Sequence, residues 1–297
     1  MSRTVSNFSI TRKKAKSRRA DELNPPAWAQ ELVGAHFSLL TVRITNAADM
    51  TPVQLEQETF AAYESIAHQL AQTSHRNAVR FWNHVPSIND PADAGRDVYM
   101  VFNAGRFRAF STLYGGTSQF DREIATASAI GHPGRDLVIH CLSTDIPGMA
   151  VNNPRQVAPY HYSQRFGPLP PCFSRATRLN RPVDMLLVGG TASVRGEDSV
   201  HVDDLAAQCH ETFLNLAVLV AAAEKQTLSA RPKLSRWLGA FTELRVYFPN
   251  QADASTIEAN VRVAFPRLGR LEMFRADLCR AELLVEIEGM ADLKLLQ

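Results

Sequence analysis

The sequence predicts an α+β fold in which mixed sheets carry helices on one face. From residue 183 onward the chain reads strand, helix, strand, helix, strand, strand, an order that packs helices against one face of a mixed sheet. Earlier, a strand at 36–44 precedes a helix at about 53–72, where Leu55, Ala62, Ile66 and Leu70 approximate a helical stripe. The 297 residues suffice for one large domain or two medium ones with real cores.

In chain order, residues 1–33 read as a disordered basic leader ending at the Pro25-Pro26 breaker. Residues 34–180 form a first domain and 181–297 a second. Within the first, Asp97–Asn103 and Arg106–Leu113 both read as strands, and Asn103-Ala104-Gly105 between them suits a hairpin turn. Asp136–Leu142 reads as another strand. The stretch 145–181 is proline-rich and aromatic without usable periodicity, which marks a functional loop rather than disorder. Met185–Val188 is a buried strand followed by a tight turn, Gly189-Gly190-Thr191-Ala192-Ser193. Asp203 or Asp204 caps a long helix to about Lys225. A strand at 243–248, a helix at 254–264, and strands at about 271–275 and 282–288 complete the chain.

Net charge is +2, and Arg12, Lys13, Lys14, Lys16, Arg18 and Arg19 concentrate positive charge near the N-terminus. Without that run the body is mildly acidic, so composition makes no case for nucleic acid. The run itself reads as a solvated leader, with a localisation signal or anion-binding tail as the alternative. No apolar h-region occupies the first thirty residues, and the longest apolar run, Leu216 to Ala223, is too short to span a bilayer. The chain reads as soluble and cytoplasmic, without a membrane partner. The four cysteines lack a C-x-x-C pair, and the nine histidines lack H-x-x-x-H or H-E-x-x-H spacing. Neither disulfides nor a metal site are expected.

Three places could carry chemistry. On a strand, Glu286 and Glu288 share one face and Val285 and Ile287 the other. Such a face commonly meets solvent; the functional reading makes Glu286 a general acid whose pKa is raised by apolar surroundings. The loop carrying Arg155, Tyr160, Tyr162, Arg165 and Arg175 suits recognition of a small dianion, since Arg offers carboxylates a planar fork. Equally, it suits a surface loop packed by its own aromatics. Gly190, Thr191 and Ala192 belong to a turn that is either structural or open to close approach by a ligand. The spacing fits neither a dinucleotide fingerprint nor a P-loop.

The stretch Arg80-Phe81-Trp82-Asn83-His84-Val85-Pro86-Ser87-Ile88-Asn89 resembles a block of the chorismatases. So do Phe102-Asn103 with Gly105-Arg106, Asn153-Pro154-Arg155-Gln156-Val157 with Tyr160 and Tyr162, and Phe173-Ser174-Arg175-Ala176. Gly190-Thr191-Ala192-Ser193 is similar to a further block, and Ala276-Asp277-Leu278-Cys279-Arg280 through Val285-Glu286-Ile287-Glu288-Gly289 to the last. These blocks keep their order over about 210 residues.

The resemblance implies two RidA-like (chorismate-mutase-like) halves, chorismate as substrate, no metal or organic cofactor, and a monomer or trimer. It makes Glu286 the acid that protonates the enolpyruvyl methylene, and Arg155, Arg165 and Arg175 the partners of the two carboxylates. Ala192 and Cys279 occupy the positions that track product, and Cys279 resembles the hydroxybenzoate formers, with 3-hydroxybenzoate favoured over 4-hydroxybenzoate. The alternatives are hydrolysis to a dihydroxycyclohexadiene carboxylate, or a RidA-like imine-hydrolysing or binding protein. Phe166, Pro249 and Asn152 depart from the Tyr, Arg and Glu that the family pattern leads one to expect.

Overall fold

A computed structural model describes residues 8–12, 23–228 and 233–296. The first sheet comprises β1 (Phe8–Arg12), β2 (Phe37–Ile44), β3 (Asn77–Pro86), β4 (Thr126–His132) and β5 (Leu137–Thr144), in the order β1-β2-β5-β3-β4. Its helices are α1 (Ala27–Glu31), α2 (Pro52–Ala71) and α3 (Val98–Leu113). Thr51 and Gln54 start α2 with a reciprocal capping box and Pro52 takes its first turn, which satisfies donors that have no intrahelical partner.

The second sheet comprises β6 (Met149–Val151), β7 (Ala176–Leu179), β8 (Met185–Ala192), β9 (Phe241–Phe248), β10 (Arg270–Arg275) and β11 (Glu286–Asp292). Their order is β10-β9-β11-β8-β7-β6. Helices α4 (Leu205–Ala223) and α5 (Ala254–Ala264) serve it. The Asp204 side chain accepts from the Ala207 N–H at 2.9 Å and caps α4. By length and composition α4 could cross a bilayer; here its apolar face is core.

The two halves repeat one topology. Each runs strand, helix, strand, helix, strand, strand: β2-α2-β3-α3-β4-β5, then β8-α4-β9-α5-β10-β11. In each, the first and fourth strands pair antiparallel, the second and fourth antiparallel, and the second and third parallel. Strand alternation then divides the side chains between two faces. Leu40, Val42 and Ile44 of β2 pack under α2 and α3, and Val246, Phe248, Val285 and Ile287 pack under α4 and α5. The opposite faces meet each other: Phe37, Leu39, Trp82 and Leu142 pack on Met185, Leu187 and Leu179. Helices therefore lie on both outer sides of two stacked sheets.

Four expectations need correction. Within residues 8–12 and 23–33 the leader has structure: β1 pairs with β2, and α1 buries Trp28 against Trp82 with ring centroids 5.6 Å apart. Apart from Arg12, the basic run lies outside the described residues. The hairpin expected at 97–113 is the helix α3. Asp97 caps it by accepting from the Met100 N–H at 2.7 Å, and Gly105 marks the crossing of α2, where a β-carbon would stand 2.4 Å from the Glu56 carbonyl oxygen. Gly189 and Gly190 are not in a turn but inside β8, which bulges between Val188 and Thr191. Finally, the segment 145–180 gives its strands, β6 and β7, to the second sheet.

Candidate active site

The face of β11 carrying Glu286 and Glu288 meets not solvent but the first sheet, and the two glutamates have opposite surroundings. Glu288 is 0% exposed. Its Oε2 accepts from Arg80 Nη2 at 2.6 Å and from the Ser128 hydroxyl. Its Oε1 accepts from Trp82 Nε1 at 2.9 Å and Tyr247 Oη at 3.1 Å. Four donors from three strands fill the lone pairs of a buried carboxylate. Glu286, two residues earlier, is 4% exposed and lines a cleft of about 540 Å³, a volume suited to a small-molecule ligand. Among the described residues no hydrogen bond reaches its carboxyl group. Burial, then the Glu288 charge, push its pKa up to about 8, against the opposing pull of Arg80, Arg175 and Arg280. Glu286 is thus a carboxylic acid at neutral pH, the state a proton donor needs.

The cleft is closed by both halves. From the first come Tyr99 and Arg106 of α3 and Ser128 of β4; from the second come Tyr162, Phe166, Phe173, Arg175, Gly190, Ala192, Cys279 and Arg280. Three of its arginines make no ion pair among the described residues. Arg106 is buried and donates to Asn103 Oδ1 at 2.7 Å, while its Nε and Nη1 have no hydrogen-bond partner. Arg175 is buried, donates to the Tyr162 hydroxyl and leaves Nε unpartnered. Arg280 donates to the Glu197 carbonyl at 2.9 Å and Ser199 Oγ at 3.1 Å, and lies 4.2 Å from the Phe166 ring centroid. Buried guanidinium donors are costly to leave unpaired, so the wall suits an anionic ligand with more than one carboxylate.

The structure brings together Glu286, Cys279, Tyr162, Arg165, Arg175, Gly190 and Ala192 around this cleft. Arg165 stands at the exposed rim, committed to Glu197 and Asp198. Three expected ligand-binding residues lie elsewhere. Arg155 pairs with Glu211 at 2.6 Å and with Asn215 Oδ1 at 2.9 Å, so its charge is already used within the protein. Tyr160 donates to Asp121 and accepts from Asn152 Nδ2 at 2.9 Å, packing in the first core. Thr191 is buried and donates to the Gly189 carbonyl at 3.0 Å. Conversely, Arg106, Arg280, Tyr99 and Ser128 line the cleft without having been singled out. Arg106 was hidden by the misread helix, whereas Arg280 adjoins Cys279 in a matched block.

The Cys279 thiol is pushed up to about 12, chiefly by burial and then by the Glu286 charge, so it is present as a neutral thiol. Among the described residues no group of three or more His, Cys, Asp or Glu side chains could hold a metal ion.

Residues 14–143 match the family described as chorismatase FkbO/Hyg5-like, N-terminal. A 3-hydroxybenzoate synthase of Streptomyces hygroscopicus is 32% identical over 241 residues, covering 79% of this chain and 69% of the relative. A chorismatase of Streptomyces rapamycinicus is 33% identical over 240 residues, covering 78% and 69% respectively. A chorismatase crystal structure aligns with TM-score 0.75 and 25% identity over 86% of this chain and 75% of the other. With relatives at this identity over more than two thirds of their length, and a cleft placed between two stacked halves, the chain belongs to the chorismatase family.

Proposed function

We propose that this protein cleaves chorismate to pyruvate and 3-hydroxybenzoate, with Glu286 as general acid. The observation that carries the reading is a buried carboxyl, its pKa raised to about 8, facing a cleft whose arginines 106, 175 and 280 make no ion pair among the described residues. A dicarboxylate supplies the anions that these guanidiniums lack, and its enol ether is a base too weak to take a proton from water at a useful rate. Glu286 delivers that proton to the methylene carbon, which becomes the methyl group of pyruvate. The positive charge that develops at the ether carbon is relieved as the bond between the ring and the ether oxygen breaks and pyruvate leaves with that oxygen. The neighbouring ring hydroxyl bridges to the vacated carbon and gives up its proton, which restores the acid; opening of the bridge toward that carbon and transfer of one ring hydrogen to the oxygen aromatise the ring as 3-hydroxybenzoate. The two products together hold the atoms of chorismate, so no net water is consumed.

The relatives named chorismatase and 3-hydroxybenzoate synthase support the substrate and favour this product. Phe166, Phe173, Ala192 and the neutral Cys279 give the cleft an apolar wall, which favours aromatisation over attack by water. Incubation with chorismate, with pyruvate assayed and the ring product separated by liquid chromatography, tests both parts. Absence of pyruvate overturns the activity; a dihydroxycyclohexadiene carboxylate as sole ring product overturns the product.

A further inference from the structure

Glu288 reaches no cavity, yet it is placed where it decides the state of its neighbour. Arg80 is 0% exposed and is the fixed cation beneath β11. Its Nη2 donates to Glu288 at 2.6 Å and to Ser128 Oγ at 2.5 Å, and its Nη1 donates to the Phe81 carbonyl at 2.5 Å. Ser128 in turn donates to Glu288 and accepts the Gly190 N–H at 2.8 Å, so its single proton and both lone pairs are engaged. Gly190 is the residue over which Glu286 lies. One continuous set of hydrogen bonds therefore runs from Arg80 to the floor under Glu286, and within it Arg80 Nη2 and the Ser128 hydroxyl both donate to Glu288.

We propose that Glu288 is a positioning residue: by occupying Arg80, it denies Glu286 the buried cation that would ionise it, and so keeps Glu286 an acid. This rests on the assignment of Glu286 as the proton donor. The charged and titratable groups acting on Glu286 are Arg80 of β3, Glu288 of its own strand, Tyr99 of α3, Arg175 before β7, and Cys279 and Arg280 in the loop before β11. Tyr247 lies opposite Glu286 on β9 and directs its hydroxyl to Glu288. Arg175 is turned toward Tyr162 and Arg280 toward Glu197 and Ser199. Arg80 is thus the cation that removal of Glu288 would release toward Glu286.

Titration of the Glu286 carboxyl by carbon-13 NMR tests this without substrate, with its signal assigned by loss in Glu286→Gln. In Glu288→Gln the Glu286 midpoint falls by at least about one pH unit, a tenfold change in the ratio of its two forms. In the double variant Arg80→Met with Glu288→Met both buried charges go, an exchange that buried pairs commonly tolerate, and the midpoint returns to within about half a unit of wild type, well under a tenfold change. An unchanged midpoint in Glu288→Gln overturns the proposal. So does a double variant whose midpoint falls as far as the single one. If Glu288→Gln does not fold, the double variant decides alone: a retained midpoint supports the role of Arg80 and a lowered one removes it. Because the readout is a titration and not turnover, the result stands or falls separately from chorismate cleavage.

Discussion

Glu286 lies so closely over Gly190 that a β-carbon at position 190 would stand 1.9 Å from Glu286 Oε1. The Glu286 carboxyl occupies the volume that a side chain at position 190 would need. Gly190→Ala should keep the fold, since the conflict is with the end of a side chain rather than with backbone. It should also displace the acid. Pyruvate release from chorismate falls by about 10²-fold or more, the contribution of a positioned proton donor, while the melting temperature moves by a few degrees at most. A turnover rate within a few-fold of wild type would show that the carboxyl acts from another place.

If Glu286 is the proton donor as proposed, kcat/KM for chorismate should be flat on the acid side and decline as pH rises through about 8. Glu286→Gln removes the proton and lowers turnover by about 10²–10⁴-fold on the acid side of that decline, with the gap narrowing above it. A wild-type profile that keeps rising above pH 9 would contradict this assignment.

The same shift lowers stability. The Glu286 pKa is about 8 in the folded chain against an ordinary value of 4.5. Between those values the unfolded chain has released a proton that the folded chain keeps, so folding stability declines with rising pH by about 1.4 kcal/mol per unit from this group. The loss starts near the unfolded value and levels off above the folded one. Glu286→Gln abolishes it. Urea unfolding at several pH values should show the variant gaining on wild type across this window and holding a constant lead above it. A gap that does not depend on pH would refute the linkage.

Arg106 and Arg155 should behave differently although both are partly or wholly buried arginines. Arg106→Met removes from the cleft wall a cation that makes no ion pair among the described residues, and should weaken chorismate binding by about 1.5–3 kcal/mol, the size of a charge-assisted hydrogen bond, with folding stability kept. Arg155→Met leaves the buried Glu211 dependent on Arg195 at 3.0 Å and lowers stability, with affinity in the folded fraction nearly unchanged. Calorimetric titration in the Glu286→Gln background, paired with thermal melts, separates the two. Equal losses of affinity would place Arg155 in the site after all.

Cys279→Val tests the product. The neutral, polarizable thiol lines the cleft, and valine keeps its approximate volume without a donor or acceptor. Aromatisation should slow, and the share of dihydroxycyclohexadiene carboxylate should rise in the chromatogram. An unaltered ratio and rate would make the cysteine a space-filler.

Most of the second half was legible because its periodicities are unambiguous: Asp204 caps α4, and the helix at 254–264 appears with those bounds. The first half follows the same topology, but α3 hid it. Its opening run from Val98 to Phe102 is apolar throughout, so period 2 and period 3.6 fit it equally, and Gly105 serves a helix crossing rather than a turn. The pairing of Glu286 with Glu288 on one face was legible from strand alternation. That the face met another sheet was not, because Arg80, Ser128 and Tyr247, which make Glu288 tolerable there, lie 208, 160 and 41 residues away. A replacement at Glu288 is consequently less tolerable than its distance from the cleft suggests. Breaking a buried pair costs about 3–5 kcal/mol.

The stacking of the two sheets means that the acidity at the centre of the site belongs to no segment alone. Cut from its counterpart, the half carrying β11 would present Glu286 to water, and the carboxyl would surrender its proton like any surface glutamate. On the proposed mechanism the proton donor comes into being at the moment the seam shuts, so a chain with its halves parted should be chemically idle toward an enol ether even if each half keeps its own strands and helices.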